Sequence, residues 1–151
     1  MPPNVESGAG YLVKRVQQSL RRNCDAALRS TGLSMAQYTA LRALADHPQA
    51  SAAELARLCF VTRQSLQDVL TGLRAEHLVE ESPGPQRGRA RALRLTAAGK
   101  RRLGQAHSAV IHVERNMLSG LSGKDQKELA TMLLRCAENL EAAVPVTTVG
   151  L

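Results

Sequence analysis

Two short segments of helical apolar periodicity, joined across Cys59-Phe60-Val61 and followed at once by a turn-rich basic stretch, occupy residues 51–96 of this 151-residue chain. Their order leaves few folds open. Ser51-Ala52-Ala53-Glu54 is a capping-box pattern, in which the serine oxygen and the glutamate side chain satisfy free backbone donors at a helix start. It opens a short helix carrying Leu55, Ala56 and Leu58. Thr62 caps the next helix, whose apolar positions Leu66, Val69, Leu70 and Leu73 face inward. Leu78-Val79 and Leu93-Arg94-Leu95 then bracket Ser82-Pro83-Gly84-Pro85-Gln86-Arg87-Gly88-Arg89-Ala90-Arg91, which is rich in turn formers. That stretch reads as two short strands around a flexible basic tip. A period of two puts Leu93 and Leu95 on one side of the second strand and Arg94 on the other.

The flanking sequence is helical. Residues 1–10 hold two prolines and two glycines and read as a loose end. From Tyr11, the residues Leu12, Val13, Val16, Leu20, Cys24, Ala27 and Leu28 recur at spacings of three and four, up to a glycine stop at Thr31-Gly32. Ser34-Met35-Ala36-Gln37 is a second capping box and opens a helix that runs to Asp46, before Pro48. Thr96 caps a long helix with a heptad-like seam of Leu103, Ala106, Val110, Val113 and Met117. After a break at 120–123, a last helix over 124–143 carries Leu129, Met132, Leu133, Cys136, Ala137 and Leu140 on one face. One small domain cannot easily bury three such stripes, so a helical dimer interface is the economical solution. The expected fold is mainly α with a small β-hairpin. Residues 33–96 form the central domain, 11–32 and 97–143 form dimerisation helices around it, and 1–10 and 144–151 are flexible ends. With aromatics at only 2%, the core must be built from Leu, Val, Ala and Met, a composition that suits helices.

Charge points to the partner. The net charge is +7, and residues 82–113 hold seven cations (Arg87, Arg89, Arg91, Arg94, Lys100, Arg101, Arg102) and no carboxylate. The remaining thirteen cations and thirteen anions cancel, so the whole excess sits in one stretch. A local positive surface suits a polyanion, because neutralised phosphates release counterions. No apolar run is long enough to cross a bilayer and residues 1–10 lack a signal pattern, so a cytoplasmic protein with no membrane partner is expected. Cys24, Cys59 and Cys136 are odd in number and far apart, which indicates neither a disulfide framework nor a zinc site. His47, His77, His107 and His112 are scattered, no HExxH or phosphate-binding glycine loop is present, and neither enzymatic activity nor a cofactor or metal is expected.

Helix, turn, helix and basic hairpin, in that order, make a winged helix-turn-helix. The second helix of such a unit lies in the major groove with its N-terminal residues at base edges. Here those residues are Thr62, Arg63, Gln64, Ser65, Gln67 and Asp68, with Arg87, Arg89 and Arg91 in the wing. Arg can grip guanine O6 and N7 with two bonds, and Gln can do likewise at adenine N6 and N7.

Residues 50–102 resemble the multiple antibiotic resistance regulator (MarR) family. The likeness rests on Leu55-Ala56 before the turn, Val61-Thr62-Arg63-Gln64-Ser65-Leu66 at the start of the recognition helix, and Leu95-Thr96-Ala97-Ala98-Gly99 after the wing. With its flanking helices it covers residues 11–143. The resemblance implies a symmetric homodimer on a palindromic operator, usually a repressor, released by a small anionic aromatic ligand or by thiol oxidation. A ligand pocket would lie between the dimerisation helices and the DNA-reading module, with Arg15, Tyr38 and Arg42 as candidate lining residues. Two positions depart from the family pattern. Arg87 stands where an acid usually braces the arginine matched by Arg89, which shifts the wing towards plain phosphate attraction. His77 stands where glycine commonly ends the recognition helix, so a left-handed backbone there would be strained but tolerable. Two alternatives stay open: a redox-sensing regulator of the same fold, although the family's sensing cysteine aligns near Gly10 and buried structural thiols are the default here, and a winged-helix module for protein or RNA contacts.

Overall fold

Short polar side chains set the helix starts in the computed structural model, which describes residues 4–83 and 92–144. The helices are α1 (Ala9–Leu28), α2 (Met35–Asp46), α3 (Ala52–Leu58), α4 (Arg63–Ala75), α5 (Ala97–Met117) and α6 (Gly123–Ala143), with strands β1 (Val79–Glu81) and β2 (Leu93–Leu95) between α4 and α5. Both expected capping boxes form. Ser34 Oγ accepts from Gln37 N at 3.1 Å while Ser34 N donates to Gln37 Oε1 at 3.0 Å. At α3 the matching pair is Ser51 and Glu54, at 3.2 and 3.0 Å. A third box, Ser122 with Asp125, opens α6 one residue earlier than the apolar stripe suggested. The amino-terminal stretch also differs from the expected loose end. Asn4 Oδ1 accepts from Glu6 N at 3.1 Å and Ser7 Oγ donates to Asn4 O at 2.8 Å, so a 3-10 turn at Val5–Ser7 leads directly into α1 at Ala9. Local side-chain bonds of this kind outweigh the loosening effect of the neighbouring glycines.

Helices α3 and α4 end alike. After α3, Phe60 N donates to Arg57 O at 3.2 Å and Val61 N to Ala56 O at 3.0 Å. After α4, His77 N donates to Arg74 O and Leu78 N to Leu73 O, both at 3.0 Å. This paired closure is the Schellman motif, which needs a left-handed residue at its centre. Those residues are Phe60 (φ 56°) and His77 (φ 57°), so the left-handed backbone expected at His77 is present. Leu78 is thereby taken up in closing α4, and β1 starts one residue later.

The chain divides into two compact units, Met1–Glu114 and Arg115–Leu151. In the first, α2 is the centre, packing on α1, α3, α4 and β2. Its Tyr38, Ala40, Leu41, Ala43 and Leu44 join Cys24 and Leu28 of α1, Leu55 and Ala56 of α3, Leu66, Leu70 and Leu73 of α4, Leu78, Val79 and Leu95 of the hairpin, and Leu103, Ala106 and Val110 of α5 in one core. Burying a Leu fully is worth about 1.5–3 kcal/mol, so the five most enclosed leucines, Leu28, Leu41, Leu66, Leu73 and Leu78, carry much of the stability. Leu58 departs from the stripe read in the sequence and is exposed, while the first half of α1 leaves Leu12, Val13 and Val16 open, as expected of a stripe outside the central domain.

The hairpin is antiparallel, pairing Val79 with Leu95, Glu80 with Arg94 and Glu81 with Leu93. Leu95 is buried and Leu93 half-buried while Arg94 is exposed, as the period of two requires. Thr96 joins the hairpin to α5. Its N–H donates to Leu78 O at 3.0 Å, its hydroxyl donates to His77 O at 2.7 Å, and the same oxygen accepts from Gly99 N at 3.0 Å. Gly99 sits so close that a Cβ there would collide with Leu78 O, so only glycine allows this approach. In the second unit, no residue of α6 is buried, and Met132, Leu133, Leu134 and Leu140 stay exposed.

Candidate nucleic-acid interface

Helix α4 is anchored from one side. Leu66, Leu70 and Leu73 are buried, Val69 is half-buried, and the face carrying Thr62, Arg63, Gln64, Ser65, Gln67 and Asp68 is exposed throughout. All six sequence-predicted reading residues are therefore grouped on the first turns of one helix. Thr62 Oγ1 accepts from Ser65 N at 3.0 Å and donates to Ser65 Oγ at 3.0 Å, which fixes the helix start. Gln64 Nε2 donates to Asp68 Oδ1 at 3.2 Å, which holds the amide along the exposed face and leaves Oε1 and the second N–H outward. An outward amide oxygen and N–H is the pair that adenine N6 and N7 require. The exposed N–H end of the helix adds positive potential beside them.

At the base of the hairpin, Arg94 Nε and Glu80 Oε1 are 3.0 Å apart across the strands. Both side chains are about half exposed, so the pair serves more to hold register than to stabilise. Arg87, Arg89 and Arg91 lie outside the described residues.

The three candidate pocket residues separate into a pair and an outlier. Tyr38 is buried on α2, and its hydroxyl lies 3.0 Å from His107 Nδ1 of α5, with the two rings stacked at 6.5 Å between centroids. Arg42 Nη1 reaches the same nitrogen at 3.3 Å, and its Nε bonds Asp46 Oδ2 at 2.8 Å. A guanidinium can only donate, so Nδ1 is the acceptor in the contact with Arg42. Burial pushes the Tyr38 phenol above its usual range, with Arg42 opposing and Glu114 reinforcing the shift. Arg15 is exposed on α1, nine residues before Cys24 and so about 14 Å along the helix. It is not brought to the pair among the described contacts. His107, which joins Tyr38 and Arg42, was missed as a site residue. Its place at the edge of the Leu103–Ala106–Val110 seam was the available signal.

The thiols differ in setting. Burial pushes Cys24 up, with Glu114 and Asp25 adding to it, and burial alone pushes Cys59 up. Both shifts disfavour the reactive thiolate. Cys136 is exposed on α6.

A half-exposed helix capped into the open, preceded by a short helix across a tight turn and followed by an antiparallel hairpin that leads into α5, defines a winged helix-turn-helix protein. Comparison with known proteins narrows this. Residues 31–90 match the model of the MarR family. The chain is 35% identical over 124 residues to the HTH-type transcriptional repressor Rv2887 of Mycobacterium tuberculosis, covering 82% of this chain and 89% of that protein. Crystal structures of Rv2887 with salicylic acid and with DNA superpose with TM-scores of 0.71 and 0.69 at 32% identity, covering 87% and 86% of this chain and 98% of each of theirs. The chain belongs to the MarR family of transcriptional regulators. Among the described residues no helix is long and apolar enough to cross a membrane.

Proposed function

We propose that this chain is a cytoplasmic, non-enzymatic homodimeric repressor that binds a palindromic operator and is released by a small aromatic acid. The observation that carries this reading is the exposed N-terminal face of α4, where Thr62, Arg63, Gln64, Ser65, Gln67 and Asp68 stand clear of the core. In this reading α4 chooses the sequence, and the wing arginines Arg87, Arg89 and Arg91 supply phosphate charge. The relative Rv2887, solved with DNA and with salicylic acid, supports both parts. The domain plan follows. Residues 33–96 read DNA, while 11–32 and 97–143 pair with a second copy through the exposed apolar residues of α1 and α6. The ligand carboxylate engages Arg42 beside Tyr38 and His107.

Fluorescence anisotropy of the full chain on DNA flanking its own coding region, titrated with salicylate, tests this. Tight, salt-sensitive binding to an inverted repeat, weakened by salicylate, is expected. Equal affinity for random duplex and for single-stranded RNA would overturn the regulator reading in favour of a general contact module.

A further inference from the structure

Phe60, the chain's single phenylalanine, stands at the turn between α3 and α4 with 93% of its surface exposed. Its backbone is left-handed, at φ 56°, a conformation in which a bulky side chain is strained. Glycine holds the left-handed positions at Gly32 and Gly120, and His77 belongs to a residue type more often found there. A phenylalanine at such a position strains the backbone and adds nothing to the core, so its use must lie outside the fold.

The surroundings indicate the kind of partner. Leu58 and Val61 beside it are also exposed, at 40% and 36%, which makes a small apolar point at the turn. Arg57 and Arg63 flank it three residues to either side, and no carboxylate occurs between Glu54 and Asp68. Phe60 also lies two residues before Thr62, the cap of α4, whose N–H end points outward from the same place. A partner that is strongly anionic and also offers apolar atoms fits this surface. In the major groove the C5-methyl of thymine is the apolar group available to such a side chain.

We infer that Phe60 is a DNA-contacting residue whose ring packs on the C5-methyl of a thymine at the edge of each half-site. The inference rests on the DNA-reading role of α4 and adds to it a base preference outside that helix. The left-handed turn directs the ring outward, and the Schellman bonds of Phe60 and Val61 hold it there.

The test uses the full chain, its Phe60→Gly variant and a duplex selected for tight binding, with each thymine replaced in turn by uracil to remove one methyl. Phe60→Gly relieves the strained backbone, so its melting temperature should equal or exceed the parent's while its affinity falls several-fold. Phe60→Asn, which also tolerates the left-handed region, should show the same affinity loss. At one thymine per half-site, uracil should weaken the parent about fourfold, the worth of one buried methyl, and leave Phe60→Gly unchanged. Undiminished affinity in Phe60→Gly, or uracil sensitivity shared by parent and variant at every position, overturns the inference. If the parent itself binds no duplex selectively, the DNA-reading role fails instead, and the two failures are distinguishable.

Discussion

His77 closes α4 in the left-handed region, where an L side chain costs about 1–2 kcal/mol relative to glycine. Replacing it with glycine should raise stability by about 1 kcal/mol, read as a higher urea midpoint with an unchanged slope. A lower midpoint would mean that the imidazole makes a contact worth more than the strain. Titration is also a matter of single residues. The folded protein holds Cys24 and Cys59 above the ordinary thiol value of 9.0 and Tyr38 above 10.0. Above those values the unfolded chain releases these protons while the folded chain keeps them, so folding stability is full below about pH 9 and falls as pH rises beyond it. Urea melts from pH 7 to pH 10.5 should show this decline, and Cys24→Ala should flatten part of it whatever its effect at neutral pH. The left-handed turn at His77 was legible in the chain because a family pattern marks that position. Phe60 escaped because apolar periodicity says nothing about a residue that lies in the turn between two helices.

Among the elements, the junction of hairpin and α5 is the least tolerant of change. Gly99→Ala would place a methyl against Leu78 O, so α5 would have to shift away from the hairpin. A loss of about 2 kcal/mol or more is expected, in the range of overpacked cores, and a fall in the thermal midpoint would check it. Recognition helix and wing should also separate by function. Arg63→Ala or Gln64→Ala should alter which base pairs are preferred, whereas Arg89→Ala or Arg91→Ala should weaken all duplexes alike and reduce the salt slope. Selection of binding sites with each variant distinguishes the two, and equal loss of preference from both would contradict the division. These elements were legible in the chain because their signals are local. Capping boxes lie within four residues, helical stripes within two turns, and a basic turn-rich stretch bracketed by Leu78-Val79 and Leu93-Arg94-Leu95 is contiguous. The Tyr38–His107–Arg42 cluster was not, since α2 and α5 are far apart in sequence and meet only when the core closes.

For the whole molecule, the open apolar residues of α1 and α6 carry the expected consequence. Val16 and Leu140 are 47% and 73% exposed in the single chain, which a second copy would cover. The double variant Val16→Glu, Leu140→Glu should sediment as a monomer and lose operator affinity by at least tenfold, because each half-site would then bind alone. A dimeric variant would place the interface elsewhere. By itself the sequence determined the element order, the helix caps, the winged arrangement and the one-sided face of α4, because each depends on residues within a few turns of one another. Only the tertiary structure decided that Leu58 stays outside the core, that His107 joins Tyr38 to Arg42 while Arg15 stands apart, and that Gly99 must be glycine. Those facts depend on which surfaces meet across long stretches of chain, and periodicity can say that a face is apolar without saying what covers it.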